Sequence, residues 1–141
     1  MAHPYLQREP PKSTGREEFG TAFLEEVTGS AFSNPDDLIA TLTEFSALSI
    51  AEGIGRAVSK PVAEVWVAGG GVHNVHLLER LRRAMPDTHV ESLRGLGIDP
   101  DAREAISFAV LANETLVGHA GNVPAATGAQ RPVVLGKIAL P

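Results

Sequence analysis

The feature that most constrains this chain is residues 62–83, VAEVWVAGGGVHNVHLLERLRR. A short β-branched run (Val62, Val65, Val67) stops at Gly69, Gly70 and Gly71, and a helical pattern begins a few residues later. The reading is a strand, a glycine turn and a helix, the repeating unit of open α/β sheets. In such sheets ligands bind beyond the carboxyl ends of strands. Glycines there let the backbone come close to a ligand, and the start of the following helix offers free N–H groups to an anion. A plain turn whose glycines only relieve crowding fits the same letters, so both readings stay open. The dinucleotide fingerprint G-x-G-x-x-G fails at its last position, Asn74, and no G-x-x-x-x-G-K-[ST] occurs.

The flanking segments complete an alternating pattern. Residues 88–93 read as a second strand, parallel to the first because a helix separates them. Asn34 or Ser33 caps a long helix that opens with Pro35 and runs to about Val58, with Leu38, Leu42, Phe45, Leu48, Ile50 and Ile54 at helical spacing. A shorter helix over residues 19–27 puts Phe19, Phe23 and Val27 on one face. Asp99 and Pro100 open a final helix that ends near Gly118. Residues 1–18 read as an extended lead-in, because Pro4, Pro10 and Pro11 oppose a helix. Residues 119–141 read as a tail of glycine and proline turns around Val133 to Leu135. Two strands are too few to cover helices of this size, so the sheet is expected to take further strands from elsewhere.

Composition excludes several functions. With 141 residues the chain can bury one core. A net charge of −5 gives no footprint for nucleic acid or an anionic membrane, and the absence of cysteine removes disulfides and thiolate metal sites. No signal-peptide pattern follows Met1, and no apolar stretch reads as long enough to span a bilayer, so a cytoplasmic protein is expected. Arg80, Arg82 and Arg83 read as a solvated helix face.

Among side chains, Glu104 stands out: on the final helix it shares a face with Phe108, Leu111 and Thr115. A carboxylate heading an apolar stripe suits a substrate, but spacing alone favours a first-turn acid or capping-box partner. Asn74 can bond a base or ribose, or cap the helix it precedes. His73, His76 and His89 make no convincing metal site, because no acid lies at ligand spacing. Lys12, Ser13, Thr14, Gly15 and Arg16 could hold a sugar or phosphate, but composition alone favours a polar turn. No nucleophile–base set is visible.

Several blocks together resemble a known family. VWVAGGGVHNVHLLERL, GIDPDAREAISFAVLANETL, GNVPAATGA and PVVLGKI are similar to the C-terminal part of anhydro-N-acetylmuramic acid kinase. PPKSTGREEFG and DDLIATLTEFSALSIAEGI resemble the segment before it, so the resemblance covers nearly the whole chain. It implies the actin-like ATPase (ribonuclease H-like) fold, with residues 19–141 forming the C-terminal part of its nucleotide-side domain and the remaining strands missing. It implies ATP and Mg²⁺ as cofactors, and anhydro-N-acetylmuramic acid as substrate. The family opens the 1,6-anhydro ring with water at C1 and phosphorylates O6, giving N-acetylmuramate 6-phosphate in peptidoglycan recycling. By the resemblance, Gly69, Gly70, Gly71 and Asn74 fall on the adenosine side, and Glu104 falls on the acid of an E-A-x-x-F-A helix that points toward the sugar. Lys12 and Arg16 match a K-S-T-G-R loop with a weaker claim on the substrate. The family's phosphate loops and its D-T-G-P-G-N block with the catalytic aspartate have no counterpart in these 141 residues. The expectation is a kinase segment that is inactive without the missing N-terminal part. The alternative is a non-catalytic nucleotide-binding or interaction module, with a second copy of the chain as one partner.

Overall fold

The structure is a computed structural model that describes residues 3–29 and 34–139. The leading stretch folds as read. β1 (Glu64–Val67) runs into a 3-10 turn (Gly70–His73), α5 (Val75–Ala84) crosses back, and β2 (His89–Ser92) lies parallel to β1. Before α5 the chain forms α1 (Pro4–Gln7), α2 (Arg16–Phe19), α3 (Thr21–Thr28) and α4 (Pro35–Ala57); after β2 come α6 (Arg103–Leu116) and α7 (Pro124–Thr127). The strand begins at Glu64 rather than Val62. The Val62 carbonyl accepts instead from the Thr88 hydroxyl at 2.8 Å, and the Ala63 carbonyl from the His89 N–H at 2.8 Å.

Alternation along the strands separates two faces. Val65 and Val67 share one with Val90. Val90, Leu81 of α5 and Ala47 of α4 form the core, joined by Ala51, Leu77 and Met85. Ala47 is wholly buried, so α4 approaches α5 closely where its side chain is smallest. Glu64, Trp66, His89 and Glu91 occupy the other face. There the Trp66 indole N–H donates to Glu64 at 2.9 Å, and its ring meets His89 edge-on at 5.7 Å. This arrangement is a two-stranded mixed α/β unit with one apolar and one polar-aromatic sheet face.

Asn34 caps α4 by accepting the Asp36 N–H at 3.0 Å, with Pro35 at the first helical position. Ser33, the other candidate cap, lies outside the described residues. Two of the three arginines of α5 are not simply solvated: Arg80 lies 3.3 Å from Glu44 of α4, and Arg82 Nε donates to the Val90 carbonyl at 3.0 Å. They brace the helix against both of its neighbours.

Three expectations are corrected. The lead-in is not extended throughout, because Pro4 occupies the first position of α1, where its missing N–H would go unused anyway. The helix expected over residues 19–27 is broken in two at Gly20, whose backbone lies so close to the Arg16 carbonyl that a β-carbon there would collide with it. Its aromatic face survives the break: Phe19 and Phe23 sit 5.3 Å apart, and Phe23 lies 5.4 Å from Phe45 of α4. Finally, α4 with 23 residues is long and apolar enough to cross a membrane by length and composition. In the fold it packs laterally, with Ala47 against α5 and Arg56 donating to the Leu6 carbonyl at 2.8 Å.

Candidate functional site

The glycine turn leaves the carboxyl end of β1 and is held at both ends. Gly69 has φ +75° and ψ −174°, a conformation open essentially to glycine alone. Its N–H donates to the Pro100 carbonyl at 2.9 Å. Pro100 is the largest fully buried side chain, so this anchor is a fixed one. At the far end, Asn74 Oδ1 accepts the Leu77 N–H at 3.0 Å and caps α5. Capping engages only one end of the amide; among the described residues its NH₂ has no partner.

Gly70 and Gly71 differ from Gly69. Neither has a positive φ. A β-carbon on Gly70 would meet nothing within 4 Å, and one on Gly71 only the end of Leu77 at 3.8 Å. Packing within this chain therefore does not call for glycine at either position. Both residues are exposed, and among the described residues their N–H groups donate to no acceptor. The turn is a smooth exposed patch of backbone at a strand's carboxyl end, a shape suited to a ligand that lies flat against it.

The site and the fold can be separated by substitution. Gly69→Ala is expected to lower stability by about 1–3 kcal/mol through backbone strain. Gly70→Val should shift it by no more than about 0.5 kcal/mol. Chemical denaturation of the two variants checks the contrast; equal losses would mean that Gly70 serves the fold.

A second element meets the turn. Asp99 accepts the Asp101 N–H at 3.0 Å and caps the 3-10 turn Pro100–Ala102, which leads into α6. Asp101 then reaches back: His73 Nε2 lies 2.9 Å from both of its carboxylate oxygens. A carboxylate only accepts, so Nε2 carries the proton. Sequence spacing gave no sign of this pair, whose members are 28 residues apart. No three His, Asp or Glu side chains come together as a metal site among the described residues.

Glu104 stands in the first turn of α6, three residues after Asp101. Its carboxylate is exposed, with no ion pair or hydrogen bond among the described residues. The stripe it heads is only partly covered. Leu111 and Thr115 pack under the tail, where the Thr115 hydroxyl donates to the Leu135 carbonyl at 2.6 Å, while Phe108 is 70% exposed. The tail is tied down by Asn122, which accepts the Val133 N–H at 2.7 Å and donates to the Arg131 carbonyl at 3.1 Å.

Lys12 and Arg16 are not drawn into this group. Lys12 Nζ donates to the Tyr5 carbonyl at 3.3 Å and sits 5.0 Å over the Tyr5 ring. It lines a cavity of about 340 Å³ with Tyr5, Arg56 and Ala126. Arg16 is exposed at the start of α2. Among the described residues no hydrogen bond or ion pair joins either cation to the glycine turn or to Glu104.

The whole chain, residues 1–141, matches the family model of anhydro-N-acetylmuramic acid kinase. The chain belongs to the anhydro-N-acetylmuramic acid kinase family. It is 41% identical over 140 residues to an anhydro-N-acetylmuramic acid kinase of Thiobacillus denitrificans, covering 98% of this chain and 37% of the relative. Identity is 44% over 138 residues to that of Xanthomonas oryzae pv. oryzae, covering 98% and 36%. It is 43% over 143 residues to that of Saccharophagus degradans, covering 100% and 38%. The chain thus spans little more than a third of the length of these relatives, and both the glycine turn and the α6 acid lie inside the matched region.

Proposed function

We propose that this chain is the C-terminal, nucleotide-side part of an ATP-dependent kinase that opens the 1,6-anhydro ring of anhydro-N-acetylmuramic acid and phosphorylates O6. The observation that carries the reading is the open turn at Gly70 and Gly71, glycine where this chain's own packing does not require it, in a chain matched to the family from end to end. In this reading Gly69, Gly70, Gly71 and the free amide of Asn74 take the adenosine side of ATP. Glu104 faces the sugar from the next element. Lys12 and Arg16 serve the substrate only if parts of the kinase beyond these residues bring them to it.

The wider frame of the proposal is the actin-like ATPase fold, with β1 and β2 joined by further strands in a domain that residues 19–141 complete. The catalytic aspartate and the phosphate loops belong to parts of the family outside this sequence. Phosphoryl transfer rests on positioning and on charge stabilisation of the phosphates, so the 141 residues on their own are inactive in this proposal. Mg²⁺ would neutralise phosphate charge, held by the nucleotide and by residues outside this chain. The reaction belongs to peptidoglycan recycling in the cytoplasm, away from nucleic acid and membrane.

The test is a coupled ATPase assay with anhydro-N-acetylmuramic acid, on this chain by itself and with the N-terminal part of a relative supplied in trans. Turnover only from the combination is the expected result. Turnover from the chain by itself would overturn the placing of the base. No turnover from a folded, combined pair would favour the non-catalytic module, to which the outer edges of β1 and β2, paired with no further strand among the described residues, also lend themselves.

A further inference from the structure

Two contacts join the glycine turn to the segment that opens α6. One is the backbone bond from Gly69 to Pro100, at the turn's start; the other is the side-chain bond from His73 to Asp101, at its end. Gly70 and Gly71 lie between these two fastenings. On the α6 side, Asp101 is itself held by Asp99, and Glu104 follows three residues later, about one helical turn on. The turn and the start of α6 are therefore fastened as one piece, with the open glycines on one part and the unpartnered carboxylate on the other.

His73 and Asp101 are both well exposed, with side-chain accessibilities of 61% and 51%. A pair of this kind contributes little to folding, because water screens it and both side chains lose freedom in forming it. The geometry is nonetheless specific, one Nε2–H shared between two carboxylate oxygens at equal distance. Without this bond the turn keeps its Gly69 anchor and its Asn74 cap on α5, while no other hydrogen bond among the described residues ties its far end to the segment that opens α6.

We propose that His73 and Asp101 are a pair of positioning residues that fix the glycine turn against the helix bearing Glu104, so that a nucleotide seated on the turn and the Glu104 carboxylate keep a constant separation. The inference rests on the nucleotide reading of the turn. Neither side chain needs to touch substrate; the pair acts through the elements it joins. Small errors in the placement of reacting groups cost large factors in rate, which is why a weak exposed bond can matter at this place.

The test uses the combined kinase described above, with His73→Ala, Asp101→Ala, their double variant and His73→Gln, whose amide can still donate to Asp101. Each single alanine variant is expected to lower kcat by roughly 10- to 100-fold, with the KM for ATP changed by less than about threefold and thermal unfolding unchanged. The double variant should match the singles, since one bond is lost in all three, and His73→Gln should recover most of the rate. Additive losses, or wild-type kcat in the alanine variants, would overturn the pair. Hydrogen exchange on the 141-residue chain, with ATP as probe, supplies a readout apart from turnover. ATP should slow exchange at residues 69–74 and at 103–107 in the wild type, but only at 69–74 in His73→Ala. Equal slowing at 103–107 in both would also overturn it. The underlying reading is judged separately by Gly70→Val: if that variant keeps wild-type ATP protection, or ATP protects nothing in the wild type, the nucleotide assignment fails and the inference falls with it.

Discussion

Glu104→Gln in the combined kinase is expected to lower turnover about 100-fold or more, the scale on which a positioned carboxylate contributes to proton handling. The physical case lies in what Glu104 does not do. It sits in the first turn of α6, where a carboxylate favours the positive end of the helix dipole, yet it has no hydrogen-bonding or ionic partner among the described residues. Asp99 caps the 3-10 turn that precedes α6, and Asp101 is engaged with His73, so neither draws on Glu104. The amide keeps shape and size, so stability should move by no more than about 0.5 kcal/mol, and ATP affinity should hold because the glycine turn is untouched. Steady-state kinetics with the sugar, together with ATP titration, checks both halves. Wild-type turnover would remove Glu104 from the site.

The largest expected effect on stability is at Leu81. It is 2% exposed and forms the core with Ala47 and Val90, with Leu77 of α5 and Met85, just past the end of that helix, beside it. Leu81→Ala removes the centre of a core that has few fully buried members, and a loss of about 2–5 kcal/mol is expected from transfer and cavity terms together. Domains of ordinary stability hold only about 5–15 kcal/mol, so a loss of this size should bring the variant close to unfolding. Trp66 is the sole tryptophan and lies on the sheet face away from Leu81. Its fluorescence during urea titration reports the unfolding without being altered directly by the substitution. A shift in midpoint equivalent to less than about 1 kcal/mol would mean that the core closes around the gap.

Local chemistry made most of the fold legible in the sequence. Asn34 and Pro35, and Asp99 and Pro100, announce helix starts by short-range rules, and both open helical turns in the structure. The β-branched run before three glycines announces a strand end, and the intervening helix implies that the second strand is parallel, as it is. Long-range relations were hidden. Arg80 and Arg82 look like a solvated face in one dimension, and only the crossing of α4 and the return of β2 give them Glu44 and the Val90 carbonyl. His73 and Asp101 meet because Gly69 and Pro100 do, and no periodicity records that. Phe108 misleads in the other direction: helical spacing marks it as part of an apolar stripe, but nothing among the described residues covers it. Of the site, the glycines were legible as a turn. Which of them the backbone requires was not, because it depends on φ at Gly69 and on empty space beside Gly70.

The core described above draws every member from one uninterrupted stretch, Ala47 at one end and Val90 at the other. This stretch should therefore behave as a cooperative unit in its own right, holding its amide hydrogens longest while the aromatic cluster before it and α6 with the tail after it open at lower free energy. The glycine turn lies inside that durable unit, and Glu104 lies outside it, on a helix with no buried residue. The protein thus places its proposed nucleotide surface on the part that opens last, and ties the start of the helix with its proposed sugar-facing acid to that part through the Gly69–Pro100 and His73–Asp101 bonds.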